Sequence, residues 1–153
     1  MFKNYKNKIK KHFEEVIRIK TSPYSIALGF AVGTAIAVLP TFGLGVFIGL
    51  LVVLIFKKIS KISMFAAFAV WNPLVLFSLY GLAYKMGDFL LTGIQSKTYS
   101  FWLWNQLFNY SRRFLIGNLI LTILLTEASY VIVYYLAKRY YKKYEKIVED
   151  IER

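Results

Sequence analysis

Apolar side chains in this chain come in long uncharged stretches, separated by short clusters of lysine and arginine. No Asp, Glu, Lys or Arg occurs from residue 21 to residue 56, or from residue 62 to residue 84. A third apolar stretch, 114–137, contains a single charged residue, Glu127. About 20 apolar residues suffice for a helix to cross a hydrocarbon core. The pattern therefore predicts an all-α membrane protein.

The first stretch is too long for one crossing and contains its own break. A single helix over 24–56 would be about 50 Å long, against a hydrocarbon core of about 30 Å. Pro40 removes a backbone N–H, and Gly43 allows a turn. We therefore expect two helices, 24–39 and 42–56, that form a hairpin broken by proline and glycine. The hairpin either crosses the membrane or re-enters it.

Two later segments complete the predicted membrane part. Asn72-Pro73 lies near the middle of the segment 62–84, where Pro73 predicts a kink or a break. The last segment is 114–137, which gives four hydrophobic helical segments in a single domain over residues 1–153. Between these two segments, aromatic side chains at helical spacing predict an interfacial helix on the outer side: Phe101, Trp104 and Phe108.

Both ends of the chain are basic. The sequence has 20 Lys and Arg against 8 Asp and Glu, a net charge of +12. Residues 1–20 predict a basic amphipathic helix along an anionic membrane surface, and 138–153 predict a basic cytoplasmic helix. The positive-inside rule then places both termini in the cytoplasm, as in a multi-pass protein of the cell inner membrane. We expect lipid headgroups, and not nucleic acid, as the partners of these charges.

Residues that carry chemistry are few. The chain has no cysteine, and its one histidine, His12, lies among lysines, so we expect no metal site and no cofactor. No phosphate-binding loop or hydrolase motif occurs, which argues against an enzyme. Glu127 stands out, because a carboxyl group near the middle of a hydrophobic segment is costly in lipid. It marks either a binding site or a contact that specifies assembly. On the adjacent face of the same segment, polar residues recur every four residues and predict a stripe that faces protein or water rather than lipid: Asn118, Thr122 and Thr126, followed by Ser129.

Small residues recur at four-residue spacing in the first two helices. Such spacing lets helix backbones approach closely in lipid, and the simplest prediction is tight packing within the hairpin. The residues concerned are Gly29, Gly33 and Ala37 in the first helix, and Gly45 and Gly49 in the second. A second small face, Ala27, Ala31 and Ala35, is left for another subunit or for the segment 62–84. We therefore expect a homo-oligomer.

Several of these motifs together resemble a known family. Ser22-Pro23, Gly29-x-x-x-Gly33, Pro40-x-x-Gly43 and Asn72-Pro73 follow one another in an order similar to that of domain of unknown function 2062. This is a small prokaryotic membrane family, and the resemblance covers residues 20–90. It implies an integral membrane protein and no established activity. The chain departs from the family pattern at Val75, where members often carry threonine.

Two functions fit these residues. In the first, the helix breaks bind a lipid headgroup or a small solute or ion, as in a transporter. Thr41, Asn72 and Glu127 line that site, and Arg112 or Arg113 receives a phosphate at the outer edge. The alternative is a non-transporting membrane scaffold or partner-binding module that oligomerises through the small-residue faces. Residues near a seven-residue period would extend the scaffold as a coiled coil: Tyr134, Tyr141, Tyr144, Val148 and Ile151.

Overall fold

The chain forms helices throughout the part that the structure describes. The structure is a computed structural model and describes residues 22–41, 43–56, 58–94 and 101–152, without the side chains of 144 and 148–152. These residues contain five helices and no strand, so the predicted all-α fold is confirmed. The helices are α1 (Pro23–Val38), α2 (Gly45–Ile55), α3 (Lys61–Val70), α4 (Pro73–Leu90) and α5 (Trp102–Glu152). The basic segment 1–20, with His12, lies outside the described residues.

Side-chain caps fix where the shorter helices begin. The Ser22 hydroxyl accepts a hydrogen bond from the Ser25 N–H (3.2 Å) at the start of α1, and Ser60 does the same for α3. At the start of α4, the side-chain oxygen of Asn72 accepts from the N–H groups of Leu74 (3.0 Å) and Val75 (3.2 Å). Pro23 and Pro73 occupy first-turn positions, which need no N–H donor.

The last helix is longer than the sequence predicts. α5 continues without interruption from Trp102 to Glu152, about 75 Å at the standard helical rise. This corrects the prediction of a separate interfacial helix around Phe101, Trp104 and Phe108, because Trp104, Phe108 and the apolar segment 114–137 belong to one continuous stretch of helix. Residues 102–152 contain no proline, and Gly117 is their only glycine. A change in side-chain polarity does not end a helix, because the backbone hydrogen bonds do not depend on it.

α1 lies between α3 and α5, whereas α4 packs along α5 and α2 has few contacts with the other helices. Hydrogen bonds show that α1 and α3 run in parallel. The Ser63 hydroxyl donates to the Ile26 carbonyl (2.6 Å) near the start of both helices, and Trp71 reaches Thr34 nearer their ends. α5 is antiparallel to α1, because Asn118 meets the end of α1 and Tyr130 meets its first turn at Tyr24.

Both predicted breaks are present. Residues 39–44 separate α1 from α2, and Trp71-Asn72 separates α3 from α4, which are bent by 71°. Within the described residues, α5 is the one helix long and apolar enough to cross a membrane. The bent pair α3–α4 would count as a second if it forms one span. α1 and α2 are apolar but shorter than a complete span.

Candidate functional site: a polar seam between α1 and α5

Polar side chains are concentrated in the interior of this protein, between helices α1 and α5. Thr34 in α1 is 0% exposed, and Asn118 in α5 is 1% exposed. Since Asn118 begins a row at near-four-residue spacing along α5, its members share one helix face. We call the following set the polar seam: Thr34, Trp71, Asn118, Thr122, Thr126 and Ser129.

Hydrogen bonds link most of the seam. At one end, the Trp71 indole N–H donates to the Thr34 hydroxyl (2.9 Å), which donates to the Ser129 hydroxyl (3.3 Å). At the other end, the Asn118 amide donates to the Val38 carbonyl (3.2 Å), the last of α1. The Thr122 hydroxyl donates back to the Asn118 carbonyl (2.7 Å). The seam therefore ties α5 to α1 and holds the end of α3 beside them.

Thr126 is the member of the seam whose side chain has no hydrogen-bond partner among the described residues. Its hydroxyl oxygen is buried and has no hydrogen-bond partner in the described structure. It lies one helical turn from both Thr122 and Ser129. A buried polar atom without a partner is energetically costly, so such an atom calls for an explanation by a ligand or a water molecule.

The C-terminal ends of two helices, α1 and α3, lie near the seam. α1 ends at Val38 and α3 at Val70, and neither carries a basic side chain in its last turn. Pro40 and Pro73 have no N–H to donate to the carbonyls four residues earlier. The C-terminal end of a helix carries partial negative charge. By contrast, the positive start of α4 is already occupied by the side chain of Asn72.

The residues predicted as one site do not converge. Thr41 is half-buried in the break after α1, and Asn72 caps α4. Glu127 is exposed, on the face of α5 opposite the seam. Asn72 therefore has a structural role, and Glu127 belongs to another surface.

The arginine pair lies at the crossing of α4 and α5. A guanidinium nitrogen of Arg113 is 2.9 Å from a carboxylate oxygen of Asp88 and 3.5 Å from the Tyr84 hydroxyl. Since Asp88 balances its charge, Arg113 is a weaker candidate for a phosphate than the sequence predicts. Arg112 is half-buried and makes no ion pair with a described residue.

The glycines of α1 contact a different helix from the one predicted. A Cβ atom on Gly29 would lie 2.5 Å from the Ser60 carbonyl oxygen, and one on Gly33 would meet the Met64 carbonyl. Both neighbours belong to α3 or its cap, so this face packs on α3 and not within the α1–α2 hairpin. Ala37 is buried, whereas Gly45 and Gly49 of α2 approach the Phe68 ring.

Thr34 and Trp71 are the seam residues that the sequence did not indicate. Thr34 is a lone hydroxyl in an otherwise apolar helix, and Trp71 precedes the Asn-Pro break. Neither position has a periodic partner along the chain, because their partners are on other helices. The row on α5 did carry a signal, its four-residue spacing.

Comparison with known proteins places the chain in a bacterial family. A family model described as uncharacterized protein conserved in bacteria (DUF2062) matches residues 6–146. The chain belongs to DUF2062. No curated protein and no solved structure matches it. The DUF2062 match covers α1 to α4 and most of α5, so the polar seam lies wholly within the family region.

Proposed function

We propose that this DUF2062 protein is a multi-pass integral membrane protein that binds and passes a small monovalent cation at the polar seam. The membrane placement is supported by the outer surface, on which many large apolar side chains are exposed. Leu74 is 84% exposed and Phe77 is 83% exposed, and α2 exposes most of its large apolar side chains. The interior contains small and apolar side chains together with buried threonine, serine and asparagine. In water, such a surface would favour aggregation, whereas acyl chains solvate it.

The membrane placement implies the topology that the sequence predicts, with both termini in the cytoplasm. The four hydrophobic segments lie in the cell inner membrane, and the basic ends remain in the cytoplasm beside anionic lipid headgroups. We propose further that the protein assembles as a homo-oligomer.

The unpartnered Thr126 hydroxyl carries the proposal of a cation site. It is buried without a hydrogen-bond partner, one turn from the hydroxyl groups of Thr122 and Ser129, and hard cations prefer oxygen ligands. The end of α3 at Val70 adds negative potential, because Trp71 directly after it is hydrogen-bonded to Thr34 beside Ser129. An anionic headgroup fits less well, because the nearby helix start is capped by Asn72.

The test is flux of Na⁺ and K⁺ into proteoliposomes. We expect Thr126→Val to lower flux at least about tenfold, because valine keeps the shape and removes the oxygen ligand. Thr92→Val is the matched control: it removes a hydroxyl that donates to the Asp88 carbonyl, outside the seam, and should keep full flux. Wild-type flux no higher than that of protein-free liposomes, or unchanged flux in Thr126→Val, contradicts the proposal.

A second candidate function is the non-transporting scaffold. It is favoured by the continuity of α5, which remains helical for about 20 Å beyond Ala137. A helix that extends this far beyond the apolar stretch is long enough to pair with a partner helix.

Deletion of 138–153 separates the two candidates. If the protein is a scaffold, the truncated chain should lose its oligomeric mass, because the helical extension holds the subunits together. The measurement is native mass in detergent, with flux recorded on the same sample. An intact oligomer after truncation counts against the scaffold.

A further inference from the structure

The exposed face of α5 carries a feature that the cation site does not use. Glu127 lies on this face with Leu124 three residues before it and Val131 four residues after it. Both neighbours are about half exposed. Glu127 makes no hydrogen bond or ion pair with any described residue. A carboxyl group thus lies in an apolar band on the outer surface, where we place the acyl chains.

No basic side chain of the same helix can reach Glu127. Along α5 the nearest basic residues are Arg113 on one side and Lys138 on the other. At 1.5 Å per residue they lie about 21 Å and about 16 Å away along the axis. Glu127 is also 13 residues from Phe114 and 10 from Ala137, the ends of the apolar stretch, which is too deep for its short side chain to reach a membrane surface. It needs a polar partner at its own depth.

We propose that this face of α5 binds a second copy of the same chain, with Glu127 opposite the Glu127 of the second copy. The proposal rests on the membrane placement above and identifies the surface of the proposed oligomer. Two copies inserted with the same topology are related by a two-fold axis along the membrane normal, so their α5 helices run parallel. On such an axis, each residue meets its own equivalent at the same depth.

The chemistry of the pair is self-complementary. Two carboxyl groups that hold one proton between them form a hydrogen bond in which one donates and the other accepts. The spacing of Leu124, Glu127 and Val131 is that of a coiled-coil seam, so the flanking apolar side chains pack around the pair. A lipid-facing carboxyl group has no such partner.

Disulfide cross-linking tests the face directly, because the natural chain has no cysteine. We expect Val131→Cys to form a covalent dimer when oxidised in phosphatidylethanolamine–phosphatidylglycerol vesicles. Ile132→Cys is the matched control, since Ile132 is 58% exposed against 49% for Val131 but points about 100° away around the helix. The dimer yield should be at least roughly fivefold higher at 131 than at 132, because disulfides require Cα atoms within about 7 Å.

Variants of Glu127 in the Val131→Cys background test the carboxyl pair. Glu127→Gln should keep the yield, because a carboxamide also donates and accepts, and Glu127→Ala should lower it about threefold. Equal yields at 131 and 132, no dimer at 131, or no effect of Glu127→Ala overturns the proposal. An alkaline wash distinguishes the causes: a chain released from the vesicles refutes the membrane placement, whereas a retained chain without cross-links refutes only this interface.

Discussion

Replacing Gly87 with alanine should destabilise the protein by about 3 kcal/mol, the upper part of the range for overpacking. Gly87 lies where α4 crosses α5, and a Cβ atom there would fall on the main-chain carbonyl of Arg113. Gly117 of α5 faces the Ala83 carbonyl in the same way. Backbone atoms cannot rotate aside as side chains do, so the two helices must separate. The change also weakens the Asp88–Arg113 contact at the same crossing.

Gly81→Ala is the matched control on the same helix. No described atom lies within 4 Å of a Cβ built on Gly81, and alanine is favoured over glycine in a helix by about 1 kcal/mol. Thermal unfolding in one detergent should show the midpoint of Gly87→Ala lowered by roughly 10 °C and that of Gly81→Ala unchanged or raised. Equal midpoints for the two variants would mean that α4 and α5 do not cross at Gly87.

Gly33→Ala should cost about 2–3 kcal/mol, and Gly49→Ala less than about 1 kcal/mol. Each residue is the second glycine of a Gly-x-x-x-Gly motif. A Cβ on Gly33 would meet the Met64 carbonyl and lie 2.8 Å from the Ala67 Cβ, so α1 must move away from α3. A Cβ on Gly49 would lie 3.1 Å from a ring carbon of Phe68, and a ring can shift by the few tenths of an ångström required.

The same unfolding measurement checks this pair, and the position of Trp71 provides a second readout. Because the Trp71 indole binds Thr34 only while α1 and α3 lie together, Gly33→Ala should move the Trp71 fluorescence, compared in a background that retains this tryptophan alone. Gly49→Ala should leave the emission unchanged. If Gly49→Ala proves as damaging as Gly33→Ala, α2 is packed far more tightly than its few contacts indicate.

The interior position of the polar side chains explains why the site was only partly predictable. The row from Asn118 to Ser129 was visible in the sequence, because helical periodicity puts those residues on one face. Its partner Thr34 was not visible, because a hydroxyl in an apolar helix looks the same whether it faces lipid or another helix. Asn72 looked like a ligand, yet its oxygen caps α4, a role shared by many Asn-Pro pairs at helix starts.

Local chemistry along the chain was enough to determine the helical class and the breaks at Pro40 and Pro73. Each depends on backbone donors and acceptors within a few residues. Only the tertiary structure decided which helices meet: that Gly33 faces α3, that Gly87 faces α5, and that Glu127 is on the outside while its neighbour Thr126 is inside. These are contacts between residues far apart in the chain, and periodicity defines a face without saying what covers it.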